Sequence, residues 1–177
     1  MIRYPKVFKT RDGRVVLVRP ATADDLDRLL DFFQRLPEED RLYLRVDVTQ
    51  RDIMARRMNP PEHWSVLRLV PLFGEKIVGE AVIAHRTYGF ESHVAEVRIS
   101  IDPEFRRCGL ATFLGHQIIA HAIVEDLEKL QAEIMDTQTP AIRCFEKLGF
   151  EKEGELKDFV KDIKGQCHNL LIMSLRT

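Results

Sequence analysis

The stretch Ile99-Ser100-Ile101-Asp102-Pro103-Glu104-Phe105-Arg106-Arg107-Cys108-Gly109-Leu110-Ala111-Thr112 holds the end of a strand, a turn, a basic loop with one glycine, and the opening of a long helix. Upstream, His93–Ile101 alternates cleanly. Ala95, Val97, Ile99 and Ile101 fall on one face, and Glu96, Arg98 and Ser100 on the other. Downstream, residues 109–125 set Leu110, Phe113, Leu114 and Ile118 at helical spacing. A helix N-terminus presents N–H groups without intrahelical partners at the positive end of the helix dipole, which makes it an anion site. Gly109 lets the backbone come close to a phosphate, Ala111 adds little bulk, and Arg106 and Arg107 add positive charge. The junction reads as a pyrophosphate cradle. An ordinary strand–glycine–helix junction with two exposed arginines shares these local features. Neither a Walker-type phosphate loop nor a GxGxxG fingerprint is present, which argues against a nucleotide triphosphatase or a dinucleotide dehydrogenase.

Working outward, residues 14–19 (RVVLVR) read as a short strand. A helix follows, with Thr22 as N-cap, Asp24 and Asp25 in its first turn, Leu26, Leu29, Leu30 and Phe33 on a buried face, and a stop before Pro37. Residues 37–58 predict one or two short helices. Residues 65–73 and 76–85 predict a hairpin turning at Gly74-Glu75, and residues 87–92 a loop. Residues 129–135 read as a strand, 140–148 as a helix ended by Gly149, and 150–160 with 168–175 as a closing antiparallel pair. This order predicts an α/β fold with a mixed sheet, in which strands 93–101 and 129–135 are parallel and joined through a helix.

At 177 residues, with no repeat, linker or composition shift, the chain is expected to form one domain over 1–177. Lys plus Arg number 27 and Asp plus Glu 28, for a net charge of −1. That balance supplies no broad attraction to nucleic acid or to an anionic membrane, and neither is expected as a partner. No apolar run reaches the roughly 18 residues a membrane-spanning helix needs. The N-terminus lacks the apolar core of a secretory signal. Cys108, Cys144 and Cys167 form no CxxC pair, so neither a disulfide framework nor a metal site is expected, and a reducing cytoplasm is the expected compartment.

The hexapeptide Arg106-Arg107-Cys108-Gly109-Leu110-Ala111 resembles the Q/R-x-x-G-x-G/A motif of the GNAT superfamily of acyl-CoA-dependent N-acyltransferases. Two further segments match in order and spacing. AEVRISIDP stands where that family has its acyl-CoA-binding strand, and Thr139–Phe150 is similar to the N-x-x-A-x-x-x-Y-E-K-x-G-F segment. The resemblance implies the GNAT fold: a mixed, mostly antiparallel sheet with a splayed central parallel pair, flanked by helices. It implies acetyl-CoA as acyl donor. Backbone groups of Ile99, Ser100 and Ile101 would pair with the pantetheine arm. Backbone N–H groups of Arg106, Arg107, Cys108, Gly109, Leu110, Ala111 and Thr112 would hold the pyrophosphate, and the thioester would lie between strands 93–101 and 129–135.

Amine acylation needs a group that takes a proton from the attacking ammonium. Glu96 is the candidate base. It lies three residues before the expected pantetheine contacts, among apolar strand residues expected to raise its pKa. Some bacterial protein lysine acetyltransferases of this superfamily place a functional Glu at the matching point. The plainer alternative is a glutamate paired with a neighbouring arginine. The sequence departs from the family where Phe145 replaces the common Tyr, which can protonate the leaving thiolate, and where Gln138 replaces the common Asn. Leu36–Arg45 is similar to a region of bacterial protein-acetylating domains, and its Glu38, Glu39 and Asp40 suit a cationic acceptor. The resemblance thus implies an N-acetyltransferase acting on a primary amine, a protein lysine or a small polyamine-like acceptor, by direct attack in a ternary complex. A catalytically weak acyl-CoA sensor on the same fold is the alternative. His85 and His93 flank a loop near the expected substrate mouth. The oligomeric state is left open, a homodimer included.

Overall fold

The computed structural model describes residues 2–177, and among them the chain forms nine strands and five α-helices. In chain order these are β1 (Lys6–Lys9), β2 (Val15–Pro20), α1 (Leu26–Arg35), α2 (Glu38–Leu42), α3 (Arg51–Met58), β3 (Trp64–Phe73), β4 (Lys76–Ile77) and β5 (Gly79–Arg86). There follow β6 (Val94–Ile101), α4 (Leu110–Val124), β7 (Lys129–Met135), α5 (Thr139–Lys147), β8 (Glu151–Lys161) and β9 (Cys167–Arg176). One sheet takes the order β1-β2-β3-β5-β6-β7-β9-β8, with β4 added beside β3. Every pairing is antiparallel except β6 with β7. This is the α/β mixed sheet with one parallel pair that the segment order predicts, mostly antiparallel as the resemblance implies.

Period-two alternation sorts the strand residues into two cores. Leu69, Ala81, Ile83, Ala95, Val97, Leu130 and Ala132 pack with Leu110, Leu114 and Ile118 of α4 and Phe145 of α5. Val70, Leu72 and Ile77 pack with Leu29, Phe32 and Phe33 of α1 and Met54 of α3 on the opposite face. Gly115 brings α4 close to α5, because a side chain there would collide with Leu148. Two features depart from the expected elements. β1 forms where none is expected, and the expected strand 76–85 is broken at Val78. Val78 N–H turns away to the Pro71 carbonyl, while its own carbonyl accepts from Asp102 N–H.

The first turn of the α1 segment is a 3-10 turn, Ala23–Asp25, pinned by an ion pair. Arg19 donates to both oxygens of the buried Asp25 carboxylate, at 2.6 and 2.8 Å, and Thr22 N–H donates at 2.8 Å. These bonds, Arg19 first, hold the Asp25 pKa at about 2. A depressed carboxylate stabilises the fold above its unfolded pKa, and that contribution is lost as pH falls toward the folded value. Asp25→Asn is therefore expected to cost about 2 kcal/mol at neutral pH and almost nothing near pH 2. Urea titrations at the two pH values check this.

Candidate active site

The parallel ladder between β6 and β7 is short. Val94, Ala95 and Glu96 pair with Lys129, Leu130 and Gln131, and pairing stops there. β6 stays on β5 as far as Ile101, and β7 stays on β9 as far as Met135. The two strands therefore part after Glu96 and Gln131, leaving a gap that widens toward their C-terminal ends. The register shows which backbone groups address it. Asp102 N–H bonds back to Val78 on the β5 side, and the Ser100 carbonyl lies against Gly79 of β5. Even-numbered residues thus bond β5, and the amide groups of Val97, Ile99 and Ile101 face the gap. The backbone groups of Ile99 and Ile101 lie on the strand edge that borders the gap. The Ser100 backbone turns away from the gap.

Beyond β6, Asp102 caps a single 3-10 turn, Pro103–Phe105, by accepting from Glu104 N–H at 3.1 Å. Arg107 and Gly109 then take left-handed conformations, with φ of 58° and 92°. Such alternation turns successive N–H groups toward one side, and it leads directly into α4. The first intrahelical bond runs from Phe113 N–H to the Gly109 carbonyl, so the N–H groups of Leu110, Ala111 and Thr112 have no intrahelical acceptor. No acidic side chain sits in that first turn. Cys108 is buried and its thiol donates to the Phe105 carbonyl at 2.9 Å, so it fixes the loop. Arg107 is exposed. Arg106 folds back, donating to the Ile101 carbonyl at 3.2 Å and to Asp40 of α2 at 2.5 Å.

The N-terminal hairpin braces this loop, which sequence reading missed. Phe8 of β1 stacks on Phe113 of α4 at 4.6 Å, Arg11 N–H donates to the Cys108 carbonyl, and Arg14 covers the Phe105 ring at 3.8 Å. Its signal lay in Lys6–Lys9, too short and too cationic to stand out as a strand.

Glu96 is the last residue of β6 paired with β7, at the vertex of the gap. Its carboxylate is 43 % exposed and accepts from Arg98 at 3.1 Å, so it lacks the apolar enclosure expected from its strand neighbours. Alternation explains the difference: its apolar neighbours in sequence point to the α4 face. Across the gap, Glu133 of β7 pairs with Arg45 from the loop after α2. Arg45 also feels the Glu96 charge. Sequence reading missed both Arg45 and Glu133, because 88 residues separate them and only the β6–β7 register brings Glu133 beside Glu96. The segment 38–45 therefore bridges the two arms of the gap, from Arg106 on one side to Glu133 on the other.

Phe145 is buried edge-on against Phe150 at 4.9 Å, in the core beneath the gap. Gln138 accepts from Met135 N–H at 3.1 Å and so closes the end of β7. His85 stands opposite Ala95, hence on the α4 face and away from Glu96. Among the described residues no cluster of His, Cys, Asp or Glu is arranged to hold a metal, and no helix is long and apolar enough to cross a membrane.

A splayed parallel pair, free strand-edge amides and a glycine-led helix N-terminus coincide with a match of residues 26–150 to the family model for the acetyltransferase (GNAT) family. The chain belongs to the GNAT acetyltransferase family. Solved structures share the fold at low identity. The GNAT domain of S. lividans PAT superposes with a TM-score of 0.79 at 18 % identity, over 98 % of this chain and 97 % of that one. A GNAT-family acetyltransferase from Streptococcus pneumoniae gives 0.74 at 19 %, over 92 % and 99 %. A ribosomal-protein-alanine N-acetyltransferase from Brucella melitensis gives 0.72 at 23 %, over 91 % and 99 %.

The GNAT loop supplies a direct test. Valine at position 109 would have to adopt a φ of 92°, a conformation that costs a β-branched residue about 1–3 kcal/mol. Gly109→Val is expected to unwind the loop and to weaken acetyl-CoA binding about tenfold or more. Calorimetry reads this, and unchanged affinity would remove the loop from the binding site.

Proposed function

We propose that this GNAT domain, residues 1–177, transfers the acetyl group of acetyl-CoA to a primary amine, a protein lysine or a small polyamine-like acceptor, by direct attack in a ternary complex. The observation that carries this reading is the position of Glu96 at the point where β6 and β7 part. The gap-facing amides of Ile99 and Ile101 offer a strand edge to an extended amide-bearing arm. The N–H groups of the 106–112 loop and the first turn of α4 offer donors to a pyrophosphate. A thioester held between the strands then lies near Glu96. Glu96 takes the proton from the acceptor ammonium, directly or through one water. The amine nitrogen bonds to the acyl carbon and the carbon–sulfur bond breaks, with the thiolate leaving. Phe145 has no proton to give that thiolate, so water supplies it. Glu96 and Glu133, each paired with an arginine, give the acceptor side carboxylates suited to a cation.

The burial of Phe145 favours one second reading, an acyl-CoA-binding module with little or no turnover. A thiol-release assay with acetyl-CoA against amines, peptides and protein lysines, paired with acetyl-CoA calorimetry, separates the two. Binding with amine-dependent release is the expected result. Binding without release across the panel favours the sensor, and absence of binding overturns both.

A further inference from the structure

On the face of the sheet that carries Glu96, a buried arginine and a half-buried one share one carboxylate. Glu80 of β5 is 2 % exposed and pairs with Arg68 of β3 and, at 3.5 Å, with Arg57 of α3. Arg68 also donates to the Arg57 carbonyl at 3.1 Å. Two guanidinium charges against one carboxylate leave an excess of one positive charge. Arg57 carries the deficit. Its guanidinium makes only the long contact to Glu80 and lies over the Phe33 ring at 5.5 Å, and its Nη1 is shut off from solvent without an acceptor. Burial pushes the Arg57 pKa down; the Glu80 charge opposes this, and the nearby Arg68 and Arg98 charges add to it. A half-buried guanidinium that shares its one carboxylate with a second guanidinium favours a further anion beside it.

Space for that anion adjoins the pair. A cavity of about 170 Å³ opens between the end of β2, the C-terminal end of α3 and the start of β3, walled by Arg57 and Arg68 and by Pro20, Met58, Pro60 and Val66. We propose that this cavity is a carboxylate-binding subsite for the acceptor. The single excess charge asks for a monoanion rather than a phosphate dianion, and the planar fork of a guanidinium matches a carboxylate. The proline, methionine and valine walls suit an alkyl chain attached to it. The subsite also lies in register with the proposed base. Val66 pairs with Ala84, and Ala84 with Glu96, so the cavity wall is two strand spacings from Glu96, about 10 Å. Resting on the amine-acetylation reading, the inference narrows the acceptor to an amine whose molecule bears a carboxylate about 10 Å away.

Aminooctanoate, a linear ω-amino acid of that span, and its carboxamide are the probes. Calorimetry on the full chain is expected to show saturable binding of the acid and at least tenfold weaker binding of the amide. Arg57→Met is expected to weaken the acid at least tenfold and to leave acetyl-CoA affinity unchanged. In the thiol-release assay the same comparisons are expected to raise KM and leave kcat within about twofold. Equal affinity for acid and amide, no binding of either, or full retention of binding in Arg57→Met overturns the subsite. Chloride that competes as well as the carboxylate at constant ionic strength also overturns it, in favour of an inorganic-ion site. Should Arg57→Met fail to fold, Arg57→Lys, expected to weaken the acid severalfold, and the wild-type acid–amide comparison decide the matter. Carboxylate-selective binding without acetyl transfer would overturn the proposed function and leave the subsite standing. Transfer without carboxylate selectivity would do the reverse.

Discussion

Glu96→Gln is expected to lower kcat by about 10²–10⁴-fold while acetyl-CoA affinity stays within about twofold. Glutamine keeps the size of the side chain and an oxygen that accepts from Arg98, so the strand and its pairing to β5 and β7 are preserved. What is lost is the ability to hold the acceptor proton. The gap-facing amides and the 106–112 loop are untouched, because they belong to the backbone beyond Glu96 and to the start of α4. Steady-state kinetics with the best amine of the panel, alongside acetyl-CoA calorimetry, separate the two quantities. Loss of kcat alone supports the base. Equal loss of turnover and acetyl-CoA affinity would mean that Glu96 shapes the gap and does no proton transfer. Arg98→Met sharpens the comparison: it frees the Glu96 carboxylate, so activity is expected to hold or rise, whereas a purely structural ion pair would lose activity on either side.

The fold was legible where alternation is strong, and the site only where it is contiguous in sequence. Residues 93–101 disclosed which side chains share the Glu96 face, and the structure follows that division strand by strand. The 99–112 segment could be read as strand, turn and helix N-terminus because all its parts are neighbours in sequence. Other features depend on register between distant segments. No local pattern tells where β6 leaves β7, so neither the vertex position of Glu96 nor the neighbourhood of Glu133 could be found from sequence. The same reason hid the partners of Arg45 and Asp40, which lie 88 and 66 residues away; Asp40, expected to suit a cationic acceptor, instead pairs with Arg106. Glu96 was expected among apolar groups because its sequence neighbours are apolar. In a strand those neighbours point the other way, and Arg98 two residues on is the true companion. This charge cluster was equally hidden: Arg57, Arg68 and Glu80 each sit in an unremarkable context, and only the β3–β5 pairing with α3 folded across it brings them together.

That cluster carries the largest expected effect on stability. Glu80→Gln is expected to destabilise the protein by about 3–5 kcal/mol, because it leaves the buried Arg68 and the half-buried Arg57 guanidinium groups with no counter-charge. The substitution keeps a hydrogen-bond acceptor for Arg68, so the loss measures the charge rather than the bond. In thermal unfolding the change corresponds to a drop in Tm of roughly 6–20 °C for a chain of this length. Arg57→Met makes the opposite prediction. It removes the poorly paired cation, leaves Arg68 and Glu80 as a matched pair, and places an apolar side chain against Phe33, so stability is expected to hold or rise. Adding Arg57→Met to Glu80→Gln should then recover part of the loss, since one uncompensated cation replaces two. Circular-dichroism melts of the three variants test the set, with urea titrations for the free energies. A Glu80→Gln loss below about 1 kcal/mol would mean that water reaches the guanidiniums, and the charge excess that draws an anion to the cavity would not exist.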